Sequence, residues 1–198
     1  LIWSFNSATK YISGHSDTVA GVVVGGAALV ERIDQTVRPY LGASLSAQDA
    51  ARLIRGLRTL PIRIQRHHES GLTIATRLAA RNDVVRVCHP GLQPKKFSHL
   101  SGYGSLFSFE LSDAIEIPTF CDALELFHLG VSWGGYESLI VPAEVSLNQA
   151  GENNAAVYFG VPPRMIRLFV GLEDPEDLWR DLEGAFSAAT KKPVISTQ

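Results

Sequence analysis

Ser4-Phe5-Asn6-Ser7-Ala8-Thr9-Lys10-Tyr11-Ile12-Ser13-Gly14-His15-Ser16-Asp17, followed by the apolar run Val19 to Val24, is the stretch around which the chain is organised. Its single lysine stands among small hydroxyl residues and a glycine, between two segments that read as short buried strands, Leu1 to Phe5 and Val19 to Val24. That spacing puts the lysine amine at a strand end, not on a solvated helix face. An amine there becomes a carbonyl-trapping nucleophile when desolvation or a nearby cation lowers its pKa. Ser7 and Thr9 are close enough in sequence to offer hydroxyl donors to an anion beside it. By composition alone the same lysine also reads as a solvated loop residue.

Resemblance separates the two readings. Ser7 to Asp17, with Gly21 after it, resembles the lysine signature of the Cys/Met-metabolism family of pyridoxal phosphate (PLP) enzymes, the family of the cystathionine gamma-synthases and the beta- and gamma-lyases. Ser132-Trp133-Gly134-Gly135-Tyr136-Glu137-Ser138-Leu139 resembles the cystathionine beta-lyase version of a second family motif. Gly56-Leu57-Arg58-Thr59-Leu60-Pro61, Arg66-His67-His68-Glu69-Ser70 and Ile166 to Asp174 continue the likeness in the expected order. The resemblance implies a mixed α/β and α+β fold of the aspartate-aminotransferase-like type I class. Residues 1–60 would be the end of the large PLP-binding domain, 61–82 a long connecting helix, and 83–198 the small carboxyl-terminal α+β domain.

Family members run to about twice this length, so the chain resembles a carboxyl-terminal half. The aromatic that stacks on the cofactor ring, the aspartate that pairs with its nitrogen, and the Tyr and Arg that reach a neighbouring subunit are not in this sequence. The apolar opening, Leu1-Ile2-Trp3, fits a cut or split chain. The expected partners are an amino-terminal half of the same enzyme, further copies in a tetramer, and a small amino-acid substrate.

Composition narrows the field further. A hydrophobic content of 45% over 198 residues is enough for a sizeable core. A net charge of -2, from 18 basic and 20 acidic residues, gives no basic stripe for nucleic acid and no polybasic membrane patch. No apolar stretch is long enough to span a bilayer and no signal-peptide pattern opens the chain, so a cytoplasmic setting is expected. Cys88 and Cys121 lack a CxxC spacing and read as structural, Cys88 as a buried strand thiol.

Further along, Ala27 to Tyr40 reads as helix and loop. Ser46 and Asp49 open a helix ending near Arg58, and Pro61 starts another, running to about Arg81 along the apolar positions Ile62, Ile64, Leu72, Ile74, Ala75, Leu78 and Ala79. Strands are expected at Val84 to Cys88, Ser105 to Leu111, Leu139 to Val141 and Met165 to Val170. Helices are expected at Ile117 to His128 and from Asp174-Pro175 to about Thr190, with irregular stretches at Gly91 to Gly104 and Asn148 to Asn154 and a frayed tail at Lys191 to Gln198. His67 and His68 point about 100° apart with no third ligand at i+4, so they read as a polar helix face and no metal site is expected.

Arg167 lies in the apolar run Ile166-Arg167-Leu168-Phe169-Val170, where its guanidinium must reach solvent, pair in a salt bridge, or hold an anion. The family resemblance implies the last, a bidentate clamp on the substrate's α-carboxylate, with Ser132 beside it. It also implies that Lys10 carries the cofactor and acts as general base, that Ser7 and Thr9 bind its phosphate, and that Trp133 fills space where gamma-specific relatives carry a smaller residue. Tyr11 reads as packing, and His15 and Asp17 as loop supports. The activity implied is cleavage of cystathionine to homocysteine, pyruvate and ammonia in methionine biosynthesis. A gamma-lyase, a gamma-synthase or an inactive structural half are the alternatives.

Overall fold

The computed structural model describes residues 3–42, 44–149 and 154–190. Residues Leu1 and Ile2, the centre of the Asn148–Asn154 stretch and the Lys191–Gln198 tail lie outside the described residues. The chain divides into two compact units: one of residues up to Arg63 together with Gly134–Tyr136, the other of Ile64–Trp133 and the remainder.

In the first unit, β1 (Ser4–Ser7) and β2 (Gly21–Val24) pair antiparallel, with Ser4 opposite Val24 and Ser7 opposite Gly21. β1 lies later than the expected Leu1 to Phe5, β2 falls within the expected Val19 to Val24, and neither is buried: Phe5 is 63% exposed and Val24 59%. Among the described residues they pair only with each other, and neither strand contains a fully buried residue. Helix α1 (Ala27–Leu41) likewise buries no residue.

Helix α2 (Ala47–Ala79) is a single helix of 33 residues, about 50 Å long, where the sequence suggested two. Its start is as expected, with Ser46 Oγ accepting from Asp49 N at 3.0 Å and donating to Asp49 Oδ2 at 2.8 Å. Pro61 does not break it, although proline removes one helical donor and crowds the preceding turn. The carbonyl that loses its helical donor is that of Leu57; one residue earlier, Gly56 O accepts from Thr59 Oγ1 at 3.2 Å and from Arg63 Nη2 at 2.8 Å.

In the second unit, β3 (Val84–Cys88), β4 (Leu106–Leu111), β5 (His128–Leu129), β6 (Leu139–Pro142) and β7 (Met165–Phe169) form one sheet in the order β3-β4-β7-β6-β5. All pairs are antiparallel except β5 with β6. Helices α3 (Ile117–Asp122), α4 (Ala143–Leu147), α5 (Ala155–Tyr158) and α6 (Pro175–Ala189) complete the unit. β4 alternates strictly, burying Phe107, Phe109 and Leu111. Those rings meet Ile74 and Leu78 of α2, Ile166 and Leu168 of β7, and Leu178, Leu182 and Phe186 of α6 in one core. The last helix is capped as the sequence implied, with Asp174 accepting from Glu176 N at 2.8 Å.

Three expectations are corrected here. Helix α3 stops at Asp122 instead of running to His128, because the Asp181 carboxylate takes the N–H groups of Glu125, Leu126 and Phe127 at 2.8, 2.9 and 3.1 Å and so draws them out of helical bonding. Cys88 is exposed, not buried, since the edge strand β3 carries a register shift between Val84 and Arg86 that turns it outward. Cys121 is half-buried, and burial pushes its thiol up to about 11. His67 is no polar-face residue: it is fully buried, with Nδ1 3.1 Å from both Val170 O and Ser105 Oγ. Among the described residues no group of three His, Cys, Asp or Glu is placed to hold a metal, and no helix is long and apolar enough to cross a membrane.

His89 follows β3 and is 2% exposed. Its Nδ1 accepts from Gly91 N at 3.0 Å and its Nε2 lies 3.3 Å from Gly104 O, an arrangement that requires the neutral ring. Burial lowers its pKa most, the Gly104 carbonyl opposes this, and neighbouring His68 lowers it further. Between the folded pKa and the unfolded one, about 6.5, the unfolded chain binds more protons than the folded chain, so stability must rise with pH there. Unfolding midpoints in urea should therefore fall as pH drops below about 6.5, and an H89N variant should show a shallower decline. An unchanged pH slope in H89N would contradict this.

Candidate active site

The lysine loop is built within the first unit. After β1 the chain makes consecutive turns, with Ser13 N donating to Ala8 O at 2.9 Å and Gly14 N to Lys10 O at 2.8 Å. Thr9 ties the loop to the residue before β2: its N and Oγ1 both donate to Ala20 O, at 3.1 and 3.2 Å, and its Oγ1 accepts from Ala20 N at 2.9 Å. The hydroxyl hydrogen of Thr9 is thus engaged with backbone, whereas Ser7 is exposed at the end of β1. Lys10 is half-buried. Asp17 supports the loop's far side, accepting from Ser13 Oγ at 3.4 Å and Arg55 Nη2 at 3.3 Å, while His15 Nδ1 reaches Ser13 O at 2.7 Å.

Gly134 belongs to the same unit, and sequence reasoning gave it no role of its own. Its φ is +83°, and a Cβ there would lie 2.5 Å from Tyr11 N and 2.8 Å from Lys10 C. Only glycine allows the Trp-Gly-Gly-Tyr segment to approach the lysine backbone so closely. A half-buried amine on a fixed loop, with an exposed hydroxyl three residues before it, can trap an aldehyde and help hold a linked anion.

The second unit brings together Arg167, Ser132 and Trp133. β7 turns Ile166 and Leu168 into the core, which leaves Arg167 on the other face, opposite Ser108 of β4 and Val141 of β6. Arg167 Nη1 donates to Val131 O at 2.9 Å and Nη2 lies 3.3 Å from Ser132 O. Its Cζ is 5.3 Å from the centroid of the Trp133 ring, within cation–π range. Burial lowers the guanidinium's pKa, and it makes no ion pair among the described residues. Of the three sequence readings for Arg167, the salt bridge is therefore not the one found. The segment that carries Trp133 is also fixed downstream: Ser138 N and Oγ donate to the Glu173 carboxylate at 2.8 and 2.9 Å, and Ser138 Oγ accepts from Gly171 N at 2.8 Å.

Two features of this chemistry carry no signal in single-residue patterns. Arg63 lies among the apolar positions of α2 yet is 7% exposed and donates to carbonyls of the lysine loop. Gly134 reveals its role only through its contact with Lys10. A glycine pair after a tryptophan was the one available hint.

Comparison with known proteins agrees with the geometry. The family model for Cys/Met metabolism PLP-dependent enzymes matches residues 3–187. The chain is 37% identical to the cystathionine beta-lyase of Escherichia coli strain K12 and 38% identical to an L-methionine gamma-lyase of Pseudomonas putida, in each case over 93% of this chain and 48% of that protein. It also superimposes on a crystal structure of cystathionine gamma-synthase from Xanthomonas oryzae pv. oryzae, in complex with aminoacrylate and cysteine, with a TM-score of 0.84 and 36% identity over 94% of this chain and 50% of that one. The chain thus spans about half the length of the curated relatives it matches. With the family model matched over residues 3–187 and the fold shared, the chain belongs to the Cys/Met metabolism family of PLP-dependent enzymes.

Proposed function

We propose that this chain is the lysine-bearing half of a carbon–sulfur beta-lyase that cleaves L-cystathionine to homocysteine, pyruvate and ammonia. The full activity needs a preceding half of the same enzyme, in a cytoplasmic homotetramer. The observation that carries the beta reading is Trp133, whose ring centroid stands 5.3 Å from Arg167 Cζ.

In this reading Lys10 would hold pyridoxal phosphate, and Ser7 and Thr9 would hold its phosphate, Thr9 with its hydroxyl freed from Ala20 O. The cofactor supplies an electron-accepting ring that stabilises negative charge at the substrate's α-carbon. Arg167 takes the α-carboxylate in a two-pronged pair with Ser132 alongside, which fixes the substrate's orientation. The Lys10 amine would remove the α-proton as general base. The β carbon–sulfur bond then breaks, the sulfur leaves as homocysteine, and water converts the remainder to pyruvate and ammonia.

The test is product analysis with cystathionine and the full-length, cofactor-loaded protein. Pyruvate with homocysteine is expected. Release of 2-oxobutyrate with cysteine would replace the beta assignment by gamma-cleavage, and absence of both products would leave a structural module.

A further inference from the structure

Arg63 occupies an unusual position for a helical arginine flanked by isoleucines. It is 7% exposed, while Ile62 and Ile64 on either side are 73% and 37% exposed. The guanidinium donates to Tyr11 O at 2.8 Å, Gly56 O at 2.8 Å and Thr59 Oγ1 at 3.1 Å, and a second contact from Nη2 reaches Ile12 O at 3.5 Å. No carboxylate pairs with it among the described residues, and burial lowers its pKa. Burying an arginine whose only partners are neutral is costly unless its hydrogen bonds are well made.

The surroundings are shaped to admit it. Gly14 has φ +69°, and a Cβ there would stand 2.0 Å from Arg63 Nη1. Gly56 leaves room for the loop itself, since its Cβ would lie 2.3 Å from Ser13 O and 2.5 Å from Ile12 O. Two missing side chains and one planar five-donor group thus converge on the carbonyls that directly follow Lys10. A lysine in place of Arg63 could not span the same set of acceptors.

We propose that Arg63 is a positioning residue for Lys10: by holding the Tyr11 and Ile12 carbonyls, it fixes the backbone from which the lysine amine is presented. This rests on the reading of Lys10 as the cofactor-bearing base. Small misplacements of a reacting group cost about 100-fold in rate, so Arg63 acts on turnover without touching substrate.

The experiment compares wild-type full-length protein with R63A, R63K and G14A, the last keeping the charge while driving a methyl group into the guanidinium's place. Amide exchange at Ser13 and Gly14, measured without cofactor, should rise about tenfold or more, while kcat falls roughly 100-fold and KM stays within about threefold. Guanidinium ion added to R63A should restore part of both, and R63K should not. If R63A does not fold, G14A carries the same comparison. Unchanged exchange in the variants, or a loss confined to KM, overturns the proposal. Borohydride reduction of the cofactor-loaded wild type separates the two claims: an unmodified Lys10 overturns the reading of Lys10 and the proposal with it, whereas a pyridoxyl-labelled Lys10 with unchanged exchange overturns the role of Arg63 alone.

Discussion

Replacing Lys10 by alanine in the full-length protein is expected to reduce pyruvate release from cystathionine on the order of 10⁴-fold or more, with little change in the unfolding midpoint. The backbone of the loop is tied by bonds that an alanine at position 10 leaves in place. It is held by Ser13 N to Ala8 O, by Gly14 N to Lys10 O, and by the paired bonds of Thr9 with Ala20, all of which an alanine retains at the backbone. What K10A removes is the covalent link to the cofactor and the amine that takes the α-proton. K10R is expected to be nearly as inactive, since a guanidinium stays protonated and is a poor nucleophile at neutral pH. Steady-state pyruvate assays and dialysis of the variant, which should shed cofactor faster than wild type, are the measurements. K10A activity within about tenfold of wild type would remove Lys10 from the chemistry, because general-base catalysis is typically worth about 10² to 10⁴.

The lysine loop was legible through the resemblance of Ser7 to Asp17 to a family signature, since by residue types alone it also read as a solvated loop. How its neighbours are covered was not. The apolar character of Phe5 and Val24 reads as burial, yet both are exposed among the described residues, since periodicity reports which face is apolar and not what packs on it. Pro61 misled in the opposite sense. Its usual role as a first-turn residue suggested a new helix, but the helix continues through it with the loss of one backbone donor, the one that would meet Leu57 O. Sequence pattern also inverted α2 near that point, placing Ile62 and Ile64 inward where Arg63 is the buried residue. The second unit was easier, since the alternation of β4 and the cap at Asp174 are local signals that packing reinforced. The carboxyl-terminal end of α3 and the two-residue strand β5 escaped because their cause is distant: Asp181 reaches the backbone of residues 125–127 from another helix.

Arg167→Lys is expected to lower kcat/KM for cystathionine by about 2–5 kcal/mol, roughly 30- to 5,000-fold. The argument starts from where its donors go. Two of the guanidinium nitrogens are committed to Val131 O and Ser132 O, which hold the group beside the Trp133 ring. A guanidinium has five N–H groups, so this anchoring leaves donors for a carboxylate, in the parallel geometry that makes arginine pairs strong. A lysine ammonium has three donors on one atom. It could satisfy the two carbonyls or meet the substrate, but it could not reproduce the planar clamp while doing the former. Cystathionine esterified at the α-carboxylate of its cysteine-derived end discriminates: wild type should prefer the free acid over this ester if Arg167 reads that carboxylate. In R167K the acid and the ester should be handled almost alike. Circular dichroism and urea midpoints must accompany the kinetics, because Val131 and Ser132 also lose a partner. A drop in kcat/KM smaller than about threefold, with the preference for the free acid intact, would assign Arg167 to holding the 131–132 backbone and leave the carboxylate to other residues.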